Sequence, residues 1–508
     1  MSRKNGGIIG PANTPVGGLF KGVAGGVWRM NDVANFVSNS QWPSGPQNID
    51  NSCRFEDGNN DYLVKTFGTP TNQYKYTISM WVKRSLLGSN QTLFGVGDDG
   101  SNNATLKFTS DDQIQIYDHI SGTDKLQKKT NMLFRDTSAW YHIFVSSDRS
   151  ISSPSTQIYI NGVQVTSFAA NTEYSQNDSG KFNTAVNHYL GVYTNNSEKF
   201  SGYIAEAVFV DGLALAHTDF GETNTATGIW TPKKIGILGD VGNNTFYLDF
   251  KDSSTLGNDA SGKNNDFTAT NLTSIDQSTD TCVVNFATWN ANVALNSTMA
   301  LADGNLEGLT ASNYASDASN SFFSSLGISA GKFYCEIKMT YASANQGEMI
   351  GVGYDLPKHQ RGSSVNAYNI GYISEGWGYM GAEGKVKNNN SDVLTGMPTW
   401  GTNDIVGIAI DIDNYKLYFS VNGTFINSGD PTSGSTGTGA ISLTTDKTYY
   451  FGCSDASSGN THKYQLNCGS PAFSISSGNS DANGFGNFEY SVPSGYYALN
   501  TTNLNTYG

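Results

Sequence analysis

Lys416–Phe425 reads KLYFSVNGTF, and Gln157–Val165 reads QIYINGVQV. Each is a run of strand-forming residues ended by Asn-Gly and followed by more of the same. Asn and Gly both tolerate the positive φ that a two-residue hairpin turn requires, so Asn-Gly between such runs is the strongest short-range hairpin signal. In the later copy Leu417, Phe419 and Val421 alternate with Tyr418 and Ser420, and in the earlier copy Ile158 and Ile160 share a face. A period of two suits a sheet with one buried side. Two such devices far apart in one chain predict two β-domains in tandem.

Outward from these hairpins the composition is that of a turn-rich β-protein. The 508 residues include 57 Gly, 27 Tyr and 26 Phe but only 12 Pro, which means many turns between half-buried strands and not low complexity. No window sustains a 3.6-residue apolar period, so long helices are not expected. Lys and Arg number 30 against 44 Asp and Glu, a formal charge of −14. Phosphate contacts dominate nucleic-acid affinity, so this balance argues against nucleic acid as a partner. The longest basic run, KLQKK at 125–129, reads as a solvated loop or edge strand. No stretch approaches the roughly 18 apolar residues of a membrane span, so no membrane insertion is expected. Arg3 and Lys4 open the chain as a secretion signal would, but Pro11 and Pro15 interrupt the stretch where its apolar core would stand, and no signal peptide is expected. The cysteines, Cys53, Cys282, Cys335, Cys453 and Cys468, are odd in number and show neither metal spacing nor a disulfide framework. Cys335 lies in an apolar strand as a small hydrophobe. Cys453 and Cys468 are placed to meet across a hairpin, yet free thiols in a reducing cytosol are the expectation.

The chain divides into four segments. Residues 1–45 are Gly-rich coil leading to Trp28, Met30, Val33, Phe36 and Val37 at near-helical spacing, closed by Trp42-Pro43. So short a piece cannot bury its own apolar face and must dock on its own first domain or on another protein; the second is preferred, as an anchor. Residues 46–250 hold the first sandwich, with strands expected at 76–85, 91–99, 103–110, 139–148, 188–194 and 200–215. In the last of these Ile204, Glu206, Val208 and Val210 are expected on one face. Residues 251–280 read as a linker. Residues 281–508 hold a second sandwich, with strands at 331–339, 347–354, 369–374, 405–412, 416–421 and 448–454 and an aromatic, turn-rich C-terminal extension. The fold class is therefore all-β, two antiparallel β-sandwiches in tandem.

At WVKRS, WYHIFVSSD, IYINGVQV and FSGYIAEAVFVDGLAL the first half resembles a laminin-G/concanavalin A-like jelly roll. At GKFYCEIKM, IGVGYD, DIVGIAIDIDNYKLYFSVNGTF and YYFGCSD the second half resembles a SPRY domain. With TDFGETNTATGIWTPKKIG and the N-terminal GPANTP…GVW segment, the pairing is similar to virion proteins of bacteriophages from marine bacteria. Both folds are mainly recognition modules, so the resemblance implies binding without naming a ligand.

Glycosidases on the jelly-roll fold need two carboxylates about 5–5.5 Å apart for retention. Glu206 and Asp211 stand at an odd offset that sends them to opposite strand faces. Asp411 and Asp413 stand two apart, but where Asn414 begins a turn that Asx side chains cap. The six histidines, His119, His142, His188, His217, His359 and His462, form no HExxH and flank no nucleophile motif; His142 reads as a packed, hydrogen-bonded residue. The sequence requires no cofactor. Jelly rolls of this type often hold calcium in rim loops, which the resemblance places at Asp98, Asp99, Asn102 and Asn103, against the competing reading of a polar hairpin turn.

Sugar binding needs aromatic faces for the ring and amides or carboxylates for its hydroxyls. The loop at 375–392 supplies Trp377, Tyr379, Asn388, Asn389 and Asn390, and the resemblance to SPRY domains places recognition loops there; His359, Arg361 and Asp455 are expected nearby. Against this stands the reading that Trp377 packs beneath its own loop. The sequence as a whole points to a non-enzymatic virion protein made in the host bacterial cytoplasm. It is expected to be a tail-fibre or appendage subunit, anchored to other virion proteins by residues 1–45 and binding host-surface polysaccharide or protein. It would act as an oligomer, with a trimer favoured by the habit of fibres and not by any heptad. The alternatives are a capsid decoration or head-fibre protein and a glycan-degrading enzyme.

Overall fold

A computed structural model describes residues 49–194, 196–235, 241–292, 299–310, 321–342, 347–360, 369–455 and 460–508, apart from the side chains of Asp98, Asp99 and Gln360. The N-terminal anchor expected at Trp28, Met30, Val33, Phe36 and Trp42 lies outside the described residues, as does Arg361. Both Asn-Gly steps make the turn their chemistry predicts. Asn161 and Gly162 have φ of 48° and 77°, and Asn422 and Gly423 have 46° and 81°. Ile160 pairs with Val163, and Val421 with Thr424, so each loop is two residues long.

Among the described residues the first sandwich stacks two eight-stranded sheets. One runs Val163–Gln164, Ser155–Ile160, Trp140–Asp148, Lys75–Arg84, Gly202–Asp211, Ser52–Phe55 and Gln277–Ser278, with Phe246–Leu248 joining Gly202–Asp211. The other runs Phe168–Thr172, Thr123–Leu133, Gln113–Ile120, Asn102–Phe108, Gln91–Asp99, Asn187–Leu190, Tyr62–Thr66 and Thr268–Thr270. Their facing sides bury one apolar core that includes Ile78, Leu106, Ile116, Val145 and Phe209. The basic run at 125–129 lies within the Thr123–Leu133 strand, one position in from the sheet edge. Lys128 there is buried and pairs with Glu173 at 3.2 Å.

Two further expectations for this sandwich need correction. Residues 251–280 are not a linker, because Thr268–Thr270 pairs with Tyr62–Thr66 and Gln277–Ser278 with Ser52–Phe55. Each sheet takes one strand from this segment. The Gly202–Asp211 strand does not keep Ile204, Glu206, Val208 and Val210 on one face. Ala205 stands opposite Trp81 and Val208 opposite Ser79, so two residues oppose one at a bulge where Glu206 adopts φ 49°. Ile204, Ala207 and Phe209 therefore face the core, while Val208 and Val210 pack outward against Phe144 and Phe220.

The second sandwich pairs a nine-stranded sheet built around Lys332–Ala342, Ile405–Asp411 and Lys416–Val421 with a six-stranded sheet, counted among the described residues. The latter runs Ser321–Phe323, Tyr450–Asp455, Glu348–Gly353, Gly376–Met380, Lys385–Asn388 and Ser391–Leu394. The larger sheet is buried on both sides, not one. Leu417 and Phe419 face the inner core, and Tyr418 packs with Tyr334, Phe488 and Tyr496 beneath the C-terminal extension. The five cysteines are free thiols, and Cys335 neighbours Cys468 while Cys453 lies apart in the other sheet.

Charges are buried where the two sandwiches meet, some paired within the first and some reaching Asn285, Asp303 and Gly304 of the second. Lys83 Nζ contacts Asp280 Oδ2 and Asn285 Oδ1 at 2.8 Å each, and Trp140 Nε1 donates to Asp280 Oδ1 at 3.1 Å. Arg54 pairs with Asp303 at 2.6 Å and donates to the Ile275 carbonyl at 2.9 Å. Tyr203 donates to the Gly304 carbonyl at 2.9 Å.

Candidate functional site

The strand Glu348–Gly353 ends at Tyr354, where Asp355 turns the chain (φ 52°) into a short 3-10 helix, Leu356–Gln360. Its neighbour Tyr450–Asp455 begins beside it, since Gly353 pairs with Tyr450. The loops entering and leaving these strands enclose a groove of about 560 Å³. Tyr354, Asp355, Asp446, Lys447, Thr448 and Tyr450 line it. Both tyrosines are half-buried, and the two aspartates, Lys447 and Thr448 are exposed. Lys447 Nζ stands 5.7 Å from the Tyr354 ring centroid, and Tyr415 donates to Asp446 at 3.4 Å. The groove thus joins aromatic rings to carboxylates, an ammonium and a hydroxyl, a lining that suits a ligand carrying both apolar faces and hydroxyls.

Behind this lining lies the residue that sequence reasoning placed in front. Trp377 is only 6% exposed, on the central strand Gly376–Met380, and its ring lies 6.3 Å from Tyr354 and 6.0 Å from Tyr449. Tyr449 donates to the Thr444 carbonyl at 2.8 Å, and burial raises its phenol so that it stays protonated. Tyr379 is fully buried against Trp400 and Phe419. Neither ring is the stacking platform expected for it. The stretch EGWGYMG looks loop-like because its glycines interrupt the apolar pattern, yet those glycines let backbones and rings close over a core strand. A side chain at Gly376 would meet His359 Cε1 at 3.0 Å and one at Gly353 would meet His359 Nε2 at 2.9 Å.

The remaining expected residues scatter. His359 is buried under that strand pair, 4.8 Å from the Phe323 ring. Asn388 donates to the carbonyls of Ser374 and Gly376, tying its hairpin to the neighbouring strand. Asn389 and Asn390 form an exposed turn with φ of 50° and 57°. Asp455 pairs with Glu348, five residues along the strand and so about 17 Å from the groove end. It is fully buried and contacts His462 Nδ1 at 2.9 Å. What reading the sequence missed was the 444–450 loop, whose signal was Asp446-Lys447-Thr448 immediately before a Tyr-Tyr pair.

In the first sandwich the candidate calcium loop spends its amides on the turn. Asn103 Nδ2 donates to the Gly100 carbonyl at 3.1 Å, and Asn102 Oδ1 accepts from Ser121 N at 3.2 Å. No group of three or more His, Cys, Asp or Glu able to hold a metal occurs among the described residues. The carboxylates weighed for hydrolysis are likewise committed. Glu206 accepts from Tyr247 Oη at 2.5 Å, and Asp211 accepts from Thr71 N at 2.8 Å and Asn183 Nδ2 at 2.6 Å. Asp411 accepts from Asn414 N at 2.9 Å within its own turn, and Asp413 accepts from Gly331 N at 2.8 Å at the entry to the neighbouring strand.

Residues 57–217 match the family described as the concanavalin A-like lectin/glucanases superfamily, of the laminin-G type, and residues 332–428 match the SPRY domain. A concanavalin A-like domain precedes a SPRY domain. No curated protein matches the chain. Among solved structures, the SPRY domain of human HERC1 is 14% identical, covering 35% of this chain and 96% of that one, with a TM-score of 0.25. The PSpry domain of TRIM65 is 15% identical over 36% and 91% of the two chains, with a TM-score of 0.26. A Bacteroides ovatus protein named for a proposed carbohydrate-binding role is 18% identical over 45% and 62%, with a TM-score of 0.30. The groove draws Tyr354 and Asp355 from within the residues that match the SPRY domain and Asp446, Lys447, Thr448 and Tyr450 from beyond them, and the bulged strand lies within the residues that match the concanavalin A-like family.

Proposed function

We propose that this chain is a non-catalytic recognition subunit of a bacteriophage particle, a tail-fibre or appendage protein that binds host-surface glycan through the rim of its SPRY domain. The observation that carries the reading is the groove, with Tyr354 and Tyr450 beside Asp355, Asp446, Lys447 and Thr448. Rings supply stacking area, and the polar groups match hydroxyls that would otherwise lose water without compensation. A lectin-like first domain is consistent with a binding role. The place on a particle rests on the N-terminal and connecting segments, and residues 1–45 would supply the attachment to other virion proteins. Weak contacts at one groove gain strength when several copies act together. The absence of catalysis is supported by Glu206, Asp211, Asp411 and Asp413, each engaged in structural hydrogen bonds.

The test is adsorption of purified protein to host cells alongside thermal melting. Tyr450→Ala should weaken adsorption about thirtyfold, the equivalent of about 2 kcal/mol for an aromatic anchor, with an unchanged melting temperature. Trp377→Ala should instead cost about 3–5 kcal/mol of folding stability, because it empties the core behind the groove. Full adsorption by both Tyr354→Ala and Tyr450→Ala would refute the groove as the recognition site. Sustained release of reducing ends from host polysaccharide would refute the non-catalytic reading.

A further inference from the structure

The concanavalin A-like domain carries a second cleft, on the outer face of the strand pair Trp140–Asp148 and Ser155–Ile160. Three cross-strand rungs lie side by side there: Phe144 opposite Tyr159, Ser146 opposite Gln157, and Asp148 opposite Ser155. Because alternate residues share a face, all three rungs point to one side, over a length of about 14 Å. The side wall is the segment 214–217, and together they enclose about 380 Å³. That volume sits at the small end of ligand pockets, roughly 300–1,000 Å³.

The cleft is graded in chemistry along its length. At one end the His217 ring stacks on Tyr159 at 4.0 Å and 14°, and Phe144 meets Tyr159 edge-on at 5.8 Å. Trp230 backs the pile, 5.6 Å from His217 and nearly parallel. In the middle Ser146 forms a floor beside the exposed Gln157 amide. At the other end Asp148 holds Lys75 Nζ at 3.0 Å and accepts from Ser150 Oγ at 2.6 Å. Burial opposes its ionisation, but the bonds from Ser150 and Lys75 outweigh that and hold the Asp148 carboxyl below its ordinary range. Its charge is thus already matched by a lysine, so the cleft offers hydroxyl, amide and carboxylate acceptors without a net call for a charged ligand. An aromatic end joined to a neutral polar ladder matches a ring with one apolar face and hydroxyls along its edge.

We infer that this cleft is a second binding site, for a neutral pyranoside, on a domain face separate from the SPRY groove. It rests on reading the chain as a glycan-binding protein and makes each chain bivalent. The test is saturation-transfer NMR on the full chain with the methyl pyranosides of glucose, galactose, mannose and N-acetylglucosamine. At least one should receive transfer at its ring protons, and titration should show a Kd raised about fivefold by Gln157→Ala, the loss of one hydrogen bond. His217→Ala, which strips the stacked wall, should raise it about tenfold. Both positions are at the surface, and a normal melting curve confirms that the variants fold. Tyr450→Ala should leave this transfer unchanged, which separates the cleft from the SPRY groove. Absence of transfer with all four sugars, or a Kd unmoved by both Gln157→Ala and His217→Ala, would overturn the inference. Transfer lost in the cleft variants while Tyr450→Ala adsorbs normally to cells would uphold the cleft and refute the groove.

Discussion

His142 sits where the chemistry of a single ring can be worked out in full. Trp230 Nε1, which is only a donor, bonds to His142 Nδ1 at 3.0 Å, so that nitrogen is unprotonated and Nε2–H is left to donate to Ser79 Oγ at 2.9 Å. Burial lowers its pKa to about 3 from 6.5, and burial does the same for His188, also to about 3. Both rings are neutral in the folded protein and take up a proton in the unfolded chain below about pH 6.5. The stability they provide is complete above pH 6.5 and is lost as pH falls towards 3, at up to about 1.4 kcal/mol per pH unit for each ring. Denaturant unfolding between pH 7 and pH 4 should show this slope, and His142→Gln should make it shallower by about one proton. An equal slope in the variant would mean that the ring is already charged in the fold. That His142 is packed and bonded was readable from its Trp-Tyr-rich strand, whereas its partner Trp230 lies far along the chain, and only the fold brings them together.

The segment 213–235 matters as an element because it closes the outer face of the first sandwich. Its small hairpin, Gly221–Thr223 with Trp230–Pro232, lays Trp230 over the Asn161-Gly162 turn. A Cβ at Gly162 would stand 2.2 Å from the Trp230 ring, and the residue has φ +77°. Gly228, in the same segment, has φ +73° with nothing within 4 Å. Gly228→Ala should therefore cost only the left-handed backbone penalty, about 1–2 kcal/mol. Gly162→Ala should cost that and also displace Trp230, which a red-shifted tryptophan emission would report. Equal costs and unchanged emission in the two variants would show that Trp230 does not rest on the turn. Element types were legible where alternation was apolar, as in Lys75–Arg84 and Ile405–Asp411. They were missed at Gln113–Ile120 and left open between loop and edge strand at 125–129 of Thr123–Leu133, where amides and lysines fill the outward positions. The bulge at Glu206 was invisible because a one-residue slip leaves the composition of the strand unchanged while reversing its faces.

On the scale of the whole molecule, charge is buried where the two domains meet: Lys83 of the first sandwich pairs with Asp280 in that sandwich's last segment and also reaches Asn285 of the second at 2.8 Å. Lys83 and Asp280 are each about 1% exposed in their side chains and stand 2.8 Å apart. Removing one member of such a pair leaves the other buried and uncompensated. Lys83→Met should cost about 3–5 kcal/mol in denaturant unfolding, and adding Asp280→Leu should recover much of the loss. A cost below about 1 kcal/mol for the single variant would show that water reaches the pair. The sequence by itself determined the all-β class, the tandem order and both hairpin turns, because period-two alternation and the φ tolerance of Asn-Gly are local properties. Only the tertiary structure decided which aromatic rings face solvent. Trp377 and Tyr379 carry the same residue chemistry as Tyr354 and Tyr450, and what separates core from groove is whether another sheet, here the one carrying Phe419, closes over the ring. Burial of that kind is set by contacts between residues distant in the chain, and no local pattern records it.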